Sequence, residues 1–437
     1  MKIHKMNSDN DIRICVIGTG YVGLTTGVCL ADLGFKVTCV DKDREKISEL
    51  KKGIFPIHEP GLDKIFEEVV KSGGIKFTDN AVEAIKQNNV IFLAVGTPSR
   101  EDGSADTTAV FDVIRLIAEN INEFKTVVLK STVPMGTSEA VDKLIRSKTS
   151  NYALLSNPEF LRQGKALMDF KRPHRIVIGG TNPEAIAMLK KVYEPVGAPI
   201  MVTTPENAEI IKYASNSFLA MKISYINEIA NLCEKYNADV KEVAKGMGMD
   251  PRIGSKFLDA GVGFGGSCFP KDAKALLHSA KIADYDFKLL SAALEVNERQ
   301  KLIAIYKLKK YLGDLRGKTI GLLGLAFKAG TDDIREASSI VLIEGLLEEG
   351  AKIKAHDPKA EKKMRTLFSQ IQYCDVPYDA AENSDALIVV TEWDEFKKLD
   401  LAKVKGLLRN PLIIDGRNIY DPEHVKSAGF TYEGIGR

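Results

Sequence analysis

The sequence predicts an α/β protein in which two doubly wound parallel sheets are separated by a helical region. Three observations lead to this fold class. An apolar run at 12–18 leads into a glycine-rich turn and then a helical stretch, strand-like and helical runs alternate up to about residue 205 and again after residue 317, and residues 206–312 read as helices almost throughout. We therefore predict two Rossmann-like domains, 1–205 and 313–437, joined by an all-helical domain with a long helix at 206–312.

The first unit of this pattern is a dinucleotide-binding motif. The strand Ile12–Gly18 enters the turn Gly18-Thr19-Gly20-Tyr21-Val22-Gly23, a helix runs to Leu33, and a second strand, Lys36–Val40, ends at Asp41. The glycines let the backbone approach a pyrophosphate at the helix start, and the carboxylate lies where it binds the ribose hydroxyls. This combination predicts a cofactor site.

The carboxylate of Asp41 also indicates which cofactor binds. It would repel a 2′-phosphate, which favours NAD over NADP. Three basic residues that follow it could accommodate a phosphate or could form a solvated face: Lys42, Arg44 and Lys46.

The remaining strands of the two sheets follow from short apolar, β-rich runs. In the first domain these are Val90–Val95, Thr126–Lys130, Ala153–Leu155 and Arg175–Ile178. In the domain at 313–437 the predicted strands are Lys318–Leu323, Lys352–His356, Ala386–Val390 and Pro411–Ile414, with a helix at Ser338–Glu349.

The segment Gly263–Asp272 carries a thiol in a glycine-rich loop ahead of a predicted helix. Pro270 suits a first helical position, and Ala273–Ala280 favours a helix. Cys268 would then lie at the positive end of the helix, and with Lys271 beside it the thiolate would be favoured. The alternatives are a nucleophile or a buried cysteine in a turn, and the loop by itself does not separate them.

Composition excludes several classes of protein. Lys and Arg number 61 against 59 Asp and Glu, without a basic stripe, so we expect no nucleic-acid partner. The segment 1–11 lacks the apolar core of a secretory signal and no run is long enough to span a bilayer, so we expect a cytoplasmic protein without a membrane partner. The six cysteines form no CxxC pair and no metal-ligand spacing, so we expect neither disulfides nor a metal.

Two further groups of residues suggest a site. Lys212 and Asn216 are four residues apart in a helical stretch, so both could reach one oxygen as oxyanion donors; surface positions are the alternative. The segments 130–134 and 156–160 each follow a predicted strand, at the sheet edge where such folds bind ligands.

With these residues in place, the chain from about Ile12 to Tyr420 resembles the UDP-glucose/GDP-mannose dehydrogenase family. The resemblance rests on ordered motifs, which are the Gly18–Gly23 turn, Gly96-Thr97-Pro98, Ser131–Pro134, Asn157-Pro158-Glu159-Phe160-Leu161, Lys212 with Asn216, Arg252-Ile253-Gly254, Gly263–Asp272, Leu325-Ala326-Phe327-Lys328 and Asp415-Gly416-Arg417. It implies a four-electron oxidation of the primary alcohol of a nucleotide sugar to a carboxylate, with two NAD used in succession.

The resemblance also implies roles for individual residues. Cys268 would capture the aldehyde as a thiohemiacetal that becomes a thioester, which explains the need for a nucleophile. Lys212 and Asn216 would hold the C6 oxygen, Asp272 would handle protons with a water, and Thr132 and Glu159 would serve hydrolysis. Where many relatives have a second glutamate this chain has Gln163, so either Glu159 alone is the base or that position mainly contacts cofactor.

Binding residues follow by the same resemblance. For NAD they are Gly18, Gly20, Tyr21, Val22, Gly23, Asp41, Lys46, Thr97, Thr132, Lys271 and Arg335. For the UDP-sugar they are Glu159, Phe160, Leu161, Arg162, Lys212, Asn216, Arg252, Phe257, Leu258, Gly261, Gly265, Lys328 and Arg417. Arg252 matches a position that reaches into the neighbouring subunit's site, which implies a homodimer or an assembly of dimers; a solvent-facing helix end is the alternative.

Three alternatives for the activity remain at this point. Phe269 and Arg252-Ile253-Gly254 favour UDP-glucose as the substrate, whereas GDP-mannose and UDP-N-acetylhexosamines are other substrates within the family. A protein of a different class, a non-catalytic NAD sensor, would keep the Gly18 turn but would have no reason to combine Cys268 with Lys212, Asn216 and Asp272.

Overall fold

The computed structural model describes residues 12–437, so the expectation about segment 1–11 lies outside the described residues. The chain forms two compact units, and the division falls between Ala214 and Ser215, inside a long helix. Among residues 12–437, no helix is both long and apolar enough to cross a membrane. The predicted boundaries of three domains remain a prediction.

The first unit contains eight strands and the helices that connect them. The strands are β1 (Arg13–Ile17), β2 (Lys36–Val40), β3 (Ile75–Thr78), β4 (Val90–Leu93), β5 (Lys125–Leu129), β6 (Tyr152–Ser156), β7 (Ile176–Gly179) and β8 (Ile200–Thr203). The helices are α1 (Tyr21–Asp32), α2 (Arg44–Lys51), α3 (Leu62–Lys71), α4 (Ala81–Gln87), α5 (Thr108–Asn120), α6 (Thr137–Arg146), α7 (Ala166–Lys171) and α8 (Pro183–Tyr193). Helix α9 (Pro205–Tyr236) begins in this unit and ends in the next.

One sheet organises the first unit, with strand order β3-β2-β1-β4-β5-β6-β7-β8. Central strands such as β4 and β5 are buried along their whole length, which is why β4 reads as a continuous apolar run. Apolar clusters lie under helices on both faces of this sheet, one including Leu24 and Phe66 and the other Ile114 and Val141. The predicted doubly wound architecture is confirmed.

Two strands, β7 and β8, depart from the predicted parallel arrangement and run opposite to the other six. Strand β7 pairs antiparallel with β6 through Ser156 and Gly179, whereas β7 and β8 are parallel. The connection from β6 to β7 contains only the six-residue helix α7, and an antiparallel neighbour needs no full crossover helix. The sequence pattern also missed β3 and β8, and β8 is mostly exposed or half-buried, as expected at a sheet edge.

The second unit contains helices first and a sheet afterwards. After α9 come α10 (Val240–Gly248), α11 (Phe269–Ile282), α12 (Lys288–Lys301), α13 (Ile303–Leu312), α14 (Ser338–Glu348), α15 (Glu361–Met364), α16 (Pro377–Ala381), α17 (Asp394–Lys397), α18 (Leu401–Leu407) and α19 (Pro422–Ser427). The strands are β9 (Thr319–Leu323), β10 (Lys352–His356), β11 (Gln372–Tyr373), β12 (Ala386–Val389), β13 (Leu412–Asp415) and β14 (Thr431–Glu433).

The sheet of the second unit has strand order β11-β10-β9-β12-β13-β14. Every strand pair in it is parallel, and the first strand lies in the centre. This order places the ends of β9, β12 and β13 side by side at one edge. The loops that follow these ends hold Lys328 and Arg417, two of the residues predicted to bind the UDP-sugar.

Candidate active site

The glycine-rich turn in the first unit has the geometry that a pyrophosphate site needs. Gly18 has a φ of +99°, and a Cβ there would lie 2.6 Å from the Ala94 carbonyl oxygen. A Cβ at Gly23 would lie 1.9 Å from the Gly18 carbonyl oxygen, so this glycine lets helix and turn pack closely. A Cβ at Gly20 meets nothing within 4 Å, and no side chain caps α1 at this N-cap. The backbone N–H groups of Tyr21 and Val22 at the helix start are thus available to an anion.

Asp41 lies at the end of β2, as predicted, and is tied to this turn. Its Oδ2 accepts hydrogen bonds from the Thr19 amide at 2.9 Å and the Thr19 hydroxyl at 2.6 Å, and Lys46 Nζ lies 3.2 Å away. Burial raises the pKa of the Asp41 carboxyl, but these hydrogen bonds and the Lys46 charge outweigh it, so the pKa lies below its ordinary value. Asp41 is therefore a fixed carboxylate, and these residues fit the adenosine part of NAD.

A buried ion pair joins Lys212 on α9 to Glu159. Lys212 Nζ lies 2.9 Å from Glu159 Oε1 and 2.7 Å from the Glu159 carbonyl oxygen, and the two side chains are 4% and 5% exposed. Burial raises the pKa of the Glu159 carboxyl, but the Lys212 ammonium, the Leu161 amide and the Lys130 charge together hold it below its ordinary value. Glu159 is thus an ionised carboxylate at neutral pH.

Lys130 is a buried residue of this region, to which the sequence analysis gave no role beyond its place in the segment 130–134. Its Nζ donates to Asn157 Oδ1 at 3.1 Å, and the Tyr193 hydroxyl donates to the same oxygen at 2.6 Å. Burial lowers the pKa of Lys130 to about 8, against the attraction of Glu159. In the sequence, the only indication that Lys130 belongs to a site is its position directly after β5.

Other predicted site residues of the first unit also have contacts within the protein. The Arg175 guanidinium carbon is 3.6 Å from the centre of the Phe160 ring, and Lys212 Nζ is 5.3 Å from it. Arg162 forms an ion pair with Asp169 at 2.6 Å. The hydroxyl of Thr97, in the loop after β4, donates to the carbonyl oxygen of Thr132, in the loop after β5, at 2.8 Å.

In the second unit, Cys268 is the N-cap residue of the fourteen-residue helix α11. The helix begins at Phe269, one residue earlier than predicted, so Pro270 is its second residue. The thiol is half-buried, whereas the other five cysteines, all within the described residues, are buried. An N-cap position places the sulfur at the positive end of the helix dipole, which favours the thiolate.

Asp272 and Asn216 form a second pair, which Lys271 also contacts. Asn216 Nδ2 donates to Asp272 Oδ2 at 2.6 Å, and Lys271 Nζ donates to Asp272 Oδ1 at 2.6 Å. The Lys271 ammonium is therefore paired with a carboxylate, and its effect on the Cys268 thiol stays a prediction. Lys212 and Asn216, expected to converge on one oxygen, each hydrogen-bond a different carboxylate.

The loop ahead of Cys268 is held by amide side chains that the sequence analysis missed. Asn297 on α12 accepts from the Phe264 amide at 2.7 Å and donates to the Phe264 carbonyl at 3.1 Å. Gln300, one turn later, donates to the Gly261 carbonyl oxygen at 2.9 Å, and Asn227 accepts from the Gly261 amide at 2.8 Å. The spacing of Asn297 and Gln300 places both amides on one side of α12, but the sequence does not indicate which backbone groups they bind.

Two glycines of this loop allow close packing against other backbone segments. A Cβ at Gly265 would lie 2.1 Å from the Glu336 carbonyl oxygen, and one at Gly261 would lie 2.8 Å from the Gly416 carbonyl oxygen. Phe257 has a φ of +64°, and its ring lies 6.0 Å from that of Phe269. Leu258 packs in an apolar cluster, which leaves its backbone for any ligand contact.

The basic residues predicted to bind ligands in this unit have protein partners. Arg417 donates to the carbonyl oxygens of Val390 at 2.8 Å, Gly263 at 3.3 Å and Phe327 at 3.4 Å. Lys328 Nζ lies 5.3 Å from the centre of the Phe327 ring. Two further arginines pair with neighbouring carboxylates, Arg335 with Asp333 at 2.6 Å and Arg252 with Asp250 at 2.5 Å.

Comparison with known proteins covers nearly the whole chain. Three models of the UDP-glucose/GDP-mannose dehydrogenase family match, the NAD binding domain at 12–197, the central domain at 206–299 and the UDP binding domain at 321–422. UDP-glucose 6-dehydrogenase TuaD of Bacillus subtilis is 46% identical over 97% of this chain and 93% of its own length. UDP-glucose 6-dehydrogenase of Rhizobium meliloti is 47% identical over 98% of this chain and 100% of its own.

A solved structure agrees with these relatives. A UDP-glucose dehydrogenase from the hyperthermophilic archaeon Pyrobaculum islandicum superposes with a TM-score of 0.92 at 37% identity, covering 99% of each chain. The fold, the sequence and the order of the matched domains therefore agree with those of these relatives along nearly the whole chain.

Proposed function

Because the chain belongs to the UDP-glucose/GDP-mannose dehydrogenase family, and is thus an NAD-dependent oxidoreductase, we propose that it oxidises UDP-glucose to UDP-glucuronate. The single observation that supports this most is the position of Cys268, half-buried at the start of α11 behind a glycine loop held by Asn297 and Gln300. An alcohol dehydrogenase that stops at the aldehyde needs no such nucleophile. We further propose that the protein acts in the cytoplasm.

In the proposed reaction the alcohol at C6 loses two electrons twice. NAD, when bound, accepts one hydride in each oxidation. Between the two, the Cys268 sulfur adds to the aldehyde carbon, and the aldehyde oxygen takes a proton to give a thiohemiacetal. The second oxidation leaves a thioester, and water cleaves its C–S bond to release the carboxylate and restore the thiol.

The charged residues of the site have separate roles in this scheme. Lys212 and Asn216 are proposed to donate to the C6 oxygen as negative charge develops there, and Asp272 to take up and return its proton. Glu159, ionised beside Lys212, is the proposed base for the water, with Thr132 orienting that water. With Gln163 at the next position of the family pattern, Glu159 is the only base we assign to hydrolysis.

The nucleotide is proposed to bind the loops of the second unit. Lys328 and Arg417 would neutralise the diphosphate, and the loops at 257–261 and Gly265 would allow its close approach. Because Arg417 already holds three carbonyl oxygens, it is preorganised by the protein for a ligand on its remaining donors.

We also propose a homodimer formed through α9. Phe218, Tyr225 and Leu232 recur every seven residues on this helix and are 62%, 55% and 52% exposed, which places three exposed apolar side chains along one side of it. Phe218→Glu should give a monomer by light scattering, whereas Arg252→Ala should stay dimeric and lose activity if Arg252 serves the neighbouring site. A dimeric Phe218→Glu variant would contradict this arrangement.

The test of the function measures products and substrate choice together. UDP-glucose, GDP-mannose and UDP-N-acetylmannosamine are compared at equal concentration, and UDP-glucose should yield two NADH and one UDP-glucuronate per molecule consumed. Cys268→Ser should stall after partial oxidation, because a serine ester is a poorer acyl donor to water. One NADH with free aldehyde, or normal turnover by Cys268→Ser, would exclude the covalent route.

A further inference from the structure

Glu59 is a buried carboxylate for which the proposed reaction has no role. It lies just before α3, is 3% exposed, and accepts hydrogen bonds from three groups distant in sequence. The Tyr21 hydroxyl donates to Oε2, the Gly164 amide donates to Oε2 at 2.7 Å, and the Ala166 amide donates to Oε1 at 2.8 Å. One carboxylate thus joins two segments that are far apart in the chain.

The first of these segments is the glycine-rich turn. Tyr21 is the first residue of α1, so its backbone amide belongs to the group that would contact the cofactor pyrophosphate. Burial, and then the hydrogen bond and charge of Glu59, raise the pKa of the Tyr21 phenol. The phenol is therefore a permanent donor, and its rigid ring connects the turn to Glu59.

The second segment is the stretch 161–166, here called the Arg162 loop, which ends at the first residue of α7. At its start the Leu161 amide donates to Glu159 Oε2 at 2.5 Å. At its end Gly164, with a φ of +77°, and Ala166 donate to Glu59. The loop is thus held between the carboxylate proposed as base and the carboxylate bound to the cofactor turn.

We propose that Glu59 is a positioning residue that couples NAD binding at the glycine-rich turn to ordering of the Arg162 loop. Pyrophosphate binding immobilises the Tyr21 backbone, the ring transmits this to the Glu59 carboxylate, and the carboxylate holds the two loop amides in place. The part of this inference that concerns the sugar nucleotide rests on the proposed function, whereas the effect of NAD on the loop does not.

The first test follows amide hydrogen exchange in peptides spanning 160–171, with and without saturating NAD. In the unaltered protein NAD should slow exchange of this segment. Tyr21→Phe, which removes one oxygen, should abolish the response to NAD, and Glu59→Gln should give fast exchange in both conditions. Glu67→Gln, on the exposed side of α3, is the matched control and should behave as the unaltered protein.

The second test uses steady-state kinetics at saturating NAD. Glu59→Gln should raise KM for the sugar nucleotide about fivefold or more, the lower range of typical coupling between sites, while kcat changes less than about twofold. If Glu59→Gln and Tyr21→Phe lost kcat to the same extent as they lost kcat/KM, the damage would be general and the positioning role would be overturned. If Glu59→Gln does not fold, Tyr21→Phe still decides the question.

The outcomes separate this inference from the proposed function. The coupling is refuted if NAD does not change the exchange rate of this segment in the unaltered protein. It is also refuted if NAD still slows exchange in Tyr21→Phe. Absence of NADH formation with UDP-glucose refutes the proposed substrate and leaves the exchange result valid.

Discussion

Removal of the Lys212 ammonium should destabilise the first unit strongly, because it leaves Glu159 charged and buried. In Lys212→Met the carboxylate keeps its 5% exposure but loses a cation at 2.9 Å. Breaking a buried pair in this way costs about 3–5 kcal/mol. For a unit of this size each kcal/mol lowers Tm by about 2–4 °C, so the drop should be roughly 6–20 °C at pH 7.

The dependence on pH identifies the cause. In the unaltered protein the pKa of Glu159 is lowered on folding, so its contribution to stability is present above its unfolded pKa, about 4.3, and is lost as pH falls through the folded pKa. Without Lys212, burial acts with less opposition and the folded pKa rises. The difference in stability between the two proteins should therefore be largest at neutral pH and shrink as pH falls towards about 4.3.

Calorimetry can measure this effect in the intact protein. The transition of the NAD-binding unit is the one that shifts upward with NAD. Lys190→Met, at an exposed position on α8, is the matched control and should change the free energy of unfolding by no more than about 0.5 kcal/mol. Lys212→Met with Glu159→Gln should cost less than the two single changes summed, because no isolated charge remains. A drop in Lys212→Met no larger than in Lys190→Met, or one that does not vary with pH, would refute the reasoning.

Three other changes test the two glycine loops and cofactor choice. Asp41→Asn removes the charge that we expect to face the ribose and should lower the ratio of kcat/KM for NAD over NADP by about tenfold or more; an unchanged ratio would contradict the assignment. Gly20→Ala, where a Cβ meets nothing within 4 Å, should keep Tm while weakening NAD binding in titration calorimetry. Gly265→Ala, where a Cβ would lie 2.1 Å from a carbonyl oxygen, should instead lower stability by about 1–3 kcal/mol in urea unfolding, and equal stability of the two alanine variants would contradict the packing.

The sequence predicted the parts of the fold that depend on local pattern. Strands β2 and β10 have the predicted bounds because their apolar runs end at turn residues, and the Gly18 turn follows from residue type alone. The antiparallel strand β7 was not predicted, since the direction of a strand depends on its connection and not on its own residues.

Much of the candidate site was beyond local pattern. The Glu59 carboxylate accepts from Gly164, more than a hundred residues away, and no spacing rule relates them. Lys212 and Asn216 were placed on one helix by their spacing, but which carboxylate each contacts is decided by packing. Residue types and spacing thus identify candidate groups, whereas tertiary structure assigns their partners.

Cys268 is half-buried, whereas the other five cysteines are buried. Alkylation of the native protein can therefore measure the number of active sites. Burial raises the pKa of the thiols of Cys15 and Cys29 to about 12 and that of Cys374 to about 11, and it also raises those of Cys39 and Cys233. At neutral pH an alkylating reagent should therefore add one equivalent per folded chain, at Cys268. The mass increment would report the fraction of competent molecules in a preparation, and protection by a ligand would report occupancy without any turnover.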